Sequence, residues 1–224
     1  MALSTARVTG LWYLALAITG LCGFLLIRPE LYAPASAHQT LAQLAGNVAL
    51  ARVGIVFELG VVVTQAMAAI AFFRLFRSVD VVAAGALAAF GLVNATAVLV
   101  SVSLVAAAVQ VALDPGVLGG ANAAGAVQLL YKISGQLWTV GAVFFGLWLI
   151  PMGQLVLRSG WMPRALGWLL FVGGFGYVLS AFMSPFPALS TASSVATVPA
   201  SIGEFWMIGY LLLYGTRDTR TTAG

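Results

Sequence analysis

Two glutamates and two basic residues stand inside apolar stretches of this chain, and their chemistry needs an explanation. Glu58 lies in the middle of ARVGIVFELGVVVTQAMAAIAFF, residues 51–73, and Glu204 lies in PASIGEFWMIGYLLLYG. Arg52 opens the first of these stretches, and Lys132 sits in LLYKISGQLW. A charge placed in hydrocarbon costs about 3 kcal/mol or more, so each of these residues requires a partner, a proton or a task. A carboxylic acid kept neutral by burial can protonate an alkene or an epoxide, and a second carboxylate, or a water it holds, can accept the final proton. On that chemistry Glu58 is the expected general acid and Glu204 the expected acceptor. Aromatic faces can shield a cationic intermediate, although Trp138, Phe144, Phe145, Trp148, Trp206 and Tyr210 are read mostly as packing or as an interfacial belt.

Helical spacing indicates which polar groups share a face. Gln128, Lys132 and Gln136 are four apart and make a stripe, while Glu58 and Gln65, seven apart, lie on one side of a single helix. Tyr177, Ser180 and Ser184 mark a third face, and Asn94 falls at mid-depth in its own span. Lipid cannot hydrogen-bond to such groups, so the faces are expected to converge around a polar cavity that opens outward. Counted from the outer helix ends, Arg52, Lys132 and Glu204 lie roughly 7–8 Å deep and Glu58 roughly 16 Å deep, near the midplane. Arg52 is about 120° around the helix from Glu58 and pairs poorly with it. Glu58 is therefore expected to lack a basic partner and to be either protonated or hydrogen-bonded to Gln65 or Asn94. Lys132 and Glu204, at one depth, suit a structural ion pair, and Arg52 suits snorkelling to the interface. His38 is read as solvated in an outer loop.

The elements that must position these residues follow from composition. The chain has 224 residues, of which 62% are hydrophobic and 7% charged, and its mean hydropathy is +1.04; soluble domains are about one-quarter charged. An all-α integral membrane bundle is the fold class, a single domain over residues 1–224. Six spans are placed near 8–27, 47–73, 81–112, 127–156, 165–184 and 198–215, because only helices satisfy their own backbone in lipid. Arg7, Arg74, Arg77, Arg158, Arg164, Arg217 and Arg220 fall on one side and Arg28 marks the other, which puts both termini in the cytoplasm. The first span is too long for a signal-peptide core and is retained. The loops 28–46, 113–126 and 185–197 are then external.

Several classes are excluded. The net charge is +4, yet the basic residues are scattered with no stripe, so no nucleic-acid partner is expected. One histidine and the single cysteine, Cys22, provide no metal or haem site, and no cofactor is expected. No P-loop, G-x-S-x-G or H-E-x-x-H motif is present.

The stretches RVTGLWYLALAITGL, ARVGIVFELGVVV, AFFRLFRSVD, FFGLWLIPMGQLVLRSGWMPRALGWLLFVGGFGYVL and PASIGEFWMIGYLLLYG resemble the bacterial six-helix membrane proteins grouped as a domain of unknown function, serial 4386. GQLVLRSGWMPRALGWLL, which joins the fourth and fifth spans, is the most specific piece. The resemblance implies the six-helix architecture and no activity, and LLYKISGQLW lacks the histidine often found nearby in that family. In plan rather than text, the chain is similar to small membrane-bound terpene cyclases of meroterpenoid and indole-sesquiterpenoid pathways. That likeness implies acidic residues on an early and a late helix as initiators of cyclisation, positions held here by Glu58 and Glu204.

Two functions are therefore expected as alternatives. The first is an isoprenoid or terpenoid cyclase, of the lyase or isomerase type, embedded in the cytoplasmic membrane and acting on a lipophilic substrate that enters between the helices. The second is binding or transport of an amphipathic lipid-like molecule: Lys132 and Arg52 hold an anionic or zwitterionic head group, Glu204 balances them, the apolar bundle accepts the tail, and Gln65, Asn94, Gln136, Trp138, Tyr177, Ser180 and Trp206 are the further binding residues. An accessory, non-catalytic membrane role is a third reading, and the lack of an evident inverted repeat argues against alternating access. Reporter fusions test the orientation that underlies all of these depths: fusions after Arg77 and Arg164 should report a cytoplasmic location and those in 113–126 or 185–197 an external one. The reverse pattern would overturn the outward-opening cavity.

Overall fold

The computed structural model describes residues 4–119 and 122–216, so Arg217 and Arg220, counted above for orientation, lie outside the described residues. Regular structure among the described residues is entirely helical. Among the described residues six segments are long and apolar enough to cross a membrane: Thr5–Leu31, Val48–Phe76, Val81–Leu113, Ala123–Ser159, Arg164–Met183 and Pro187–Leu213. The expected all-α architecture with six spans is the one observed.

In chain order, α1 (Thr5–Gly20) continues through a π-helical stretch, Leu21–Ile27, into the single turn α2 (Arg28–Leu31). Then come α3 (Ala37–Gly46), α4 (Val48–Phe76), α5 (Val81–Leu113), α6 (Ala123–Ser159), α7 (Arg164–Met183) and α8 (Ser190–Leu213). Short 3-10 turns occupy Pro115–Leu118 and Pro187–Leu189.

Two loops expected from the sequence are in large part helix. The first span does not stop at Ile27: the Arg28 N–H bonds to the Gly23 carbonyl five residues back, and Pro29 falls in the first turn of α2, where a missing N–H does least harm. Arg28 is thereby drawn into the helix. Beyond it, the Ser36 side chain caps α3 by accepting the Gln39 N–H at 3.2 Å. On the other side, α8 begins at Ser190 and carries Pro199 inside it. The run of Ser and Thr that reads as a loop folds its hydroxyls back onto the helix, Ser194 to the Ser190 carbonyl at 3.1 Å and Thr197 to the Ser194 carbonyl at 2.9 Å.

The chain divides into two compact units. One takes in the described parts of Met1–Ala15, Thr64–Asn94 and Thr139–Gly224; the other takes in Leu16–Val63 and Ala95–Trp138. The second unit packs Leu31, Leu44, Ala51, Val105, Val127 and Tyr131 into one apolar cluster, and Val61, Val98 and Val102 into another against which Trp138 lies.

The first unit is held by close helix approach. Gly146 and Gly153 on α6 face Gly174 and Gly167 on α7, seven residues apart on each helix. A Cβ built on Gly153 would lie 2.6 Å from both the Gly167 carbonyl oxygen and the Phe171 nitrogen. One built on Gly174 would lie 2.8 Å from the Gly146 carbonyl oxygen and 2.9 Å from the Ile150 nitrogen. Lipid tails are as apolar as any side chain, so backbone approach and van der Waals contact replace the hydrophobic drive that joins helices in water.

Gly174→Ala should therefore destabilise the chain by roughly 1–3 kcal/mol through overpacking against backbone that cannot move aside. Gly85→Ala, at a helical position with nothing within 4 Å of the new methyl, should leave the unfolding midpoint in detergent unchanged or raise it, since alanine is the better helix former. Equal midpoints for the two variants would show that the α6–α7 approach does not depend on these glycines.

Candidate functional site

Polar side chains gather in two centres, one within each unit. In the second unit Arg28 and Glu58 are both buried, at 8% and 3% exposure. Their Nη1 and Oε1 atoms stand 3.9 Å apart. Arg28 Nη2 donates to the Ser134 hydroxyl, and the Ser134 and Ser101 hydroxyls lie 2.6 Å from one another. The guanidinium carbon is 5.3 Å from the centre of the Phe24 ring and 5.7 Å from that of Tyr131, so its charge is held by π faces as well as by Glu58. Trp138 lies against Phe24 with ring centres 4.4 Å apart.

The local backbone explains this geometry. A π stretch adds a residue to the helical turn, costs hydrogen-bond quality, and occurs most often beside functional sites. Here it precedes Arg28 directly. Gly23 within it faces the Glu58 turn of α4, where a Cβ would be 3.1 Å from Phe57 Cβ and 3.2 Å from Glu58 Cγ. The close approach at Gly23 thus brings the end of the first span onto Glu58. Three polar atoms at this centre have no hydrogen-bond partner: Arg28 Nη1, Glu58 Oε2 and Trp138 Nε1.

In the first unit the Tyr13 hydroxyl donates to Glu204 Oε1 at 2.6 Å. The Tyr13 ring is buried and meets Phe72 edge-on at 5.2 Å and Trp148 at 6.1 Å. Phe72 and Trp148 in turn pack edge to face at 5.5 Å. Tyr177 of α7 lies within electrostatic reach of the same carboxyl. Glu204 itself is only half-buried.

These centres correct several expectations. Glu58 does have a basic partner, Arg28; the reading failed because Arg28 was assigned to a loop that is in fact helix. Its second oxygen bonds to neither Gln65 nor Asn94, and Gln65 Oε1 and Asn94 Nδ2 are themselves buried without hydrogen-bond partners. Lys132 and Gln136 are exposed, so of the stripe on α6 only Gln128 turns inward. Gln128 is used structurally, accepting from Thr40 at 2.8 Å and donating to the Pro34 carbonyl at 2.9 Å. Among the described residues the ion pairs are Arg28 with Glu58 and Arg158 with Asp80, and the expected Lys132–Glu204 pair is not one of them. Arg52 and Trp206 are exposed, as is Ser184. Ser180 is buried, but its hydroxyl returns to the Tyr177 carbonyl at 2.8 Å.

The residues that the sequence reading missed are Arg28, Tyr13, Ser101 and Ser134. Arg28 directly follows an apolar run of about 20 residues, a length that left it within reach of the bilayer core. Nothing in the spacing singled out Tyr13, whose role depends on a helix at the far end of the chain.

A third polar group caps α5 outside the spans. Asp80 accepts the Val82 and Ala83 N–H groups, each at 3.0 Å, and pairs with Arg158. The Ala83 amide, with Val82 and the Arg158 charge adding to it, holds the Asp80 carboxyl below its ordinary value. That cap is therefore intact at neutral pH and is lost only as pH falls through the lowered value. Beside it is an open hollow of ≈ 370 Å³ floored by Val82, Ala86, Phe90 and Pro151.

A family model described as "Domain of unknown function (DUF4386)" matches residues 8–215. A stretch of 59 residues is 37% identical to an uncharacterized protein of Archaeoglobus fulgidus, covering 24% of this chain and 36% of that one. The chain thus spans about a third of that relative's length. No solved structure matches the chain.

The buried pair makes a stability prediction. Arg28→Met or Glu58→Leu alone leaves an uncompensated charge and should cost about 3–5 kcal/mol, whereas the double replacement should recover most of the loss. Unfolding midpoints of the four proteins in one detergent measure the coupling, and strictly additive losses would mean that the two side chains do not act as a pair.

Proposed function

The chain belongs to the DUF4386 family, and we propose that it is a multi-pass protein of the cytoplasmic membrane, with both termini inside, that binds a lipophilic molecule carrying a neutral hydroxyl head. The observation that carries this reading is the complement of unpartnered atoms at the Arg28–Glu58 centre: two donors, Arg28 Nη1 and Trp138 Nε1, and one acceptor, Glu58 Oε2. A hydroxyl supplies two lone pairs and one O–H, the matching set. Charge supports the same class. Arg28 and Glu58 cancel, so an anionic head would meet the carboxylate with no net attraction, while a neutral hydroxyl brings both a donor and an acceptor to this group of atoms and leaves its apolar tail among the spans. Arg52, Lys132 and Gln136, exposed on their helices, suit contacts with surrounding lipid head groups rather than with this molecule.

A second reading, cyclisation of a terpenoid substrate started by a carboxylic acid, is favoured by one observation. Glu204 has a phenol and no basic side chain as its partner, with Tyr13, Phe72 and Trp148 beside it, which suits a proton donor better than Glu58 in its pair with Arg28. On this reading Glu204 is the acid.

The binding reading is tested by unfolding midpoints of the purified chain with long-chain alcohols, diacylglycerol and polyprenols, set against their phosphate esters. The alcohols should raise the midpoint, and the esters should not. Trp138→Phe, which removes only one N–H donor, should weaken the effect about fivefold to twentyfold, the worth of one buried hydrogen bond. A shift caused only by the phosphate esters would overturn the proposal. The cyclase reading is tested by product extraction from a host supplied with prenylated and epoxidised substrates: an isomeric product lost in Glu204→Gln and kept in Glu58→Gln supports it, and a product kept in Glu204→Gln removes Glu204 as the acid.

A further inference from the structure

Glu204 presents a problem that the hydroxyl-binding reading leaves untouched. It is a carboxyl within a membrane-spanning helix, and the ion pairs among the described residues lie elsewhere. In such a place a carboxylate is held by a proton or by a cation that comes from outside the chain. Its surroundings say what kind of cation would fit. Tyr13 from α1 hydrogen-bonds to it at 2.6 Å, and Tyr177 from α7 lies within electrostatic reach of it. Behind Tyr13 stand Phe72 of α4 and Trp148 of α6, locked edge to face.

A small inorganic cation needs several oxygen ligands at short range, and this centre offers one carboxyl and two phenols set in aromatic rings. A bulky cation with spread charge needs the opposite: one counter-charge and several π faces. Glu204 and Tyr177 are both half-buried and Ser201, one turn before Glu204, is exposed, so a ligand approaches from that side, with Tyr13, Phe72 and Trp148 buried behind the carboxyl. We propose that Glu204, with Tyr13 and Tyr177, forms a binding site for a lipophilic organic cation, a quaternary ammonium, phosphonium or alkylammonium ion, which competes there with a proton. The titratable groups that face Glu204 are Tyr13 from α1 and Tyr177 from α7; Phe72 and Trp148 from α4 and α6 do not titrate. No residue of the Arg28–Glu58 centre takes part, so the two sites stand or fall separately.

The probe is tetraphenylphosphonium, bound to the full chain in a neutral detergent and measured by equilibrium dialysis. Binding should saturate near one ion per chain and weaken about tenfold or more from alkaline to mildly acidic pH as protons displace the cation. Glu204→Gln keeps size and hydrogen-bonding capacity but removes the charge, and should weaken binding at least about tenfold, while Tyr177→Leu should weaken it severalfold through loss of a π face. Glu30→Gln, which removes an exposed carboxylate of α2, should leave binding unchanged. A second measurement covers the case in which Glu204→Gln fails to fold: in the wild-type chain a lipophilic carbodiimide should label Glu204, read by peptide mass spectrometry, and tetraphenylphosphonium should protect it. Binding that is insensitive to pH, undiminished in folded Glu204→Gln, or absent from folded wild type overturns the proposal, as does labelling of Glu204 without protection.

Discussion

Hydrocarbon neither hydrogen-bonds nor solvates charge, and the arrangement of this chain depends on how Arg28 and Glu58 meet that constraint together. Either side chain alone would be expelled from an apolar environment or forced to neutralise. Side by side, with the guanidinium shared among Glu58, Ser134 and the faces of Phe24 and Tyr131, both are buried. An arginine suits this place better than a lysine, because its planar fork serves several partners at once and stacks on aromatic rings. The pair needs the first span to run past its apolar residues into Arg28. That is the work of the π stretch, and of Gly23 where the stretch approaches α4.

The same constraint organises the first unit by different means. Here α6 and α7 approach through matched glycines, and Trp148 fills the space that Gly91 leaves open. Tyr13 is then fixed by rings on two sides, so its hydroxyl can be directed at Glu204 with little rotational freedom left to lose. Each unit thus presents one glutamate in a well-defined setting, with opposite character: Glu58 is compensated by an arginine and surrounded by unpartnered donors and acceptors, and Glu204 has a phenol and an open side.

This contrast bears on function. On the functions proposed above, the compensated pair with spare hydrogen-bonding capacity would serve a neutral polar group, and the uncompensated carboxyl among aromatic rings would serve positive charge, whether a proton, an organic cation or a cation that develops in a reaction. Lys132 and Arg52, the two cations expected at an anionic or zwitterionic head group, are exposed on their helices.

Composition and run length determined the class of fold by themselves, since a stretch of about 20 apolar residues has only one economical conformation in lipid. The six spans were legible for that reason, and so was the singular position of Glu58. The ends of the spans were less legible: the segments 28–46 and 185–197 read as loops, yet Pro29 sits in the first turn of a helix, where it needs no N–H, and Pro199 lies inside a helix that begins at Ser190. Spacing along α6 placed Gln128, Lys132 and Gln136 on one face, but a face four residues wide drifts around the helix, and packing decided that only Gln128 is buried. The partners of the two glutamates were decided by tertiary structure alone. Arg28 lies 30 residues from Glu58 in the chain and Tyr13 lies 191 from Glu204, and a pairing across such distances depends on how the helices pack, which no local pattern of residue types records.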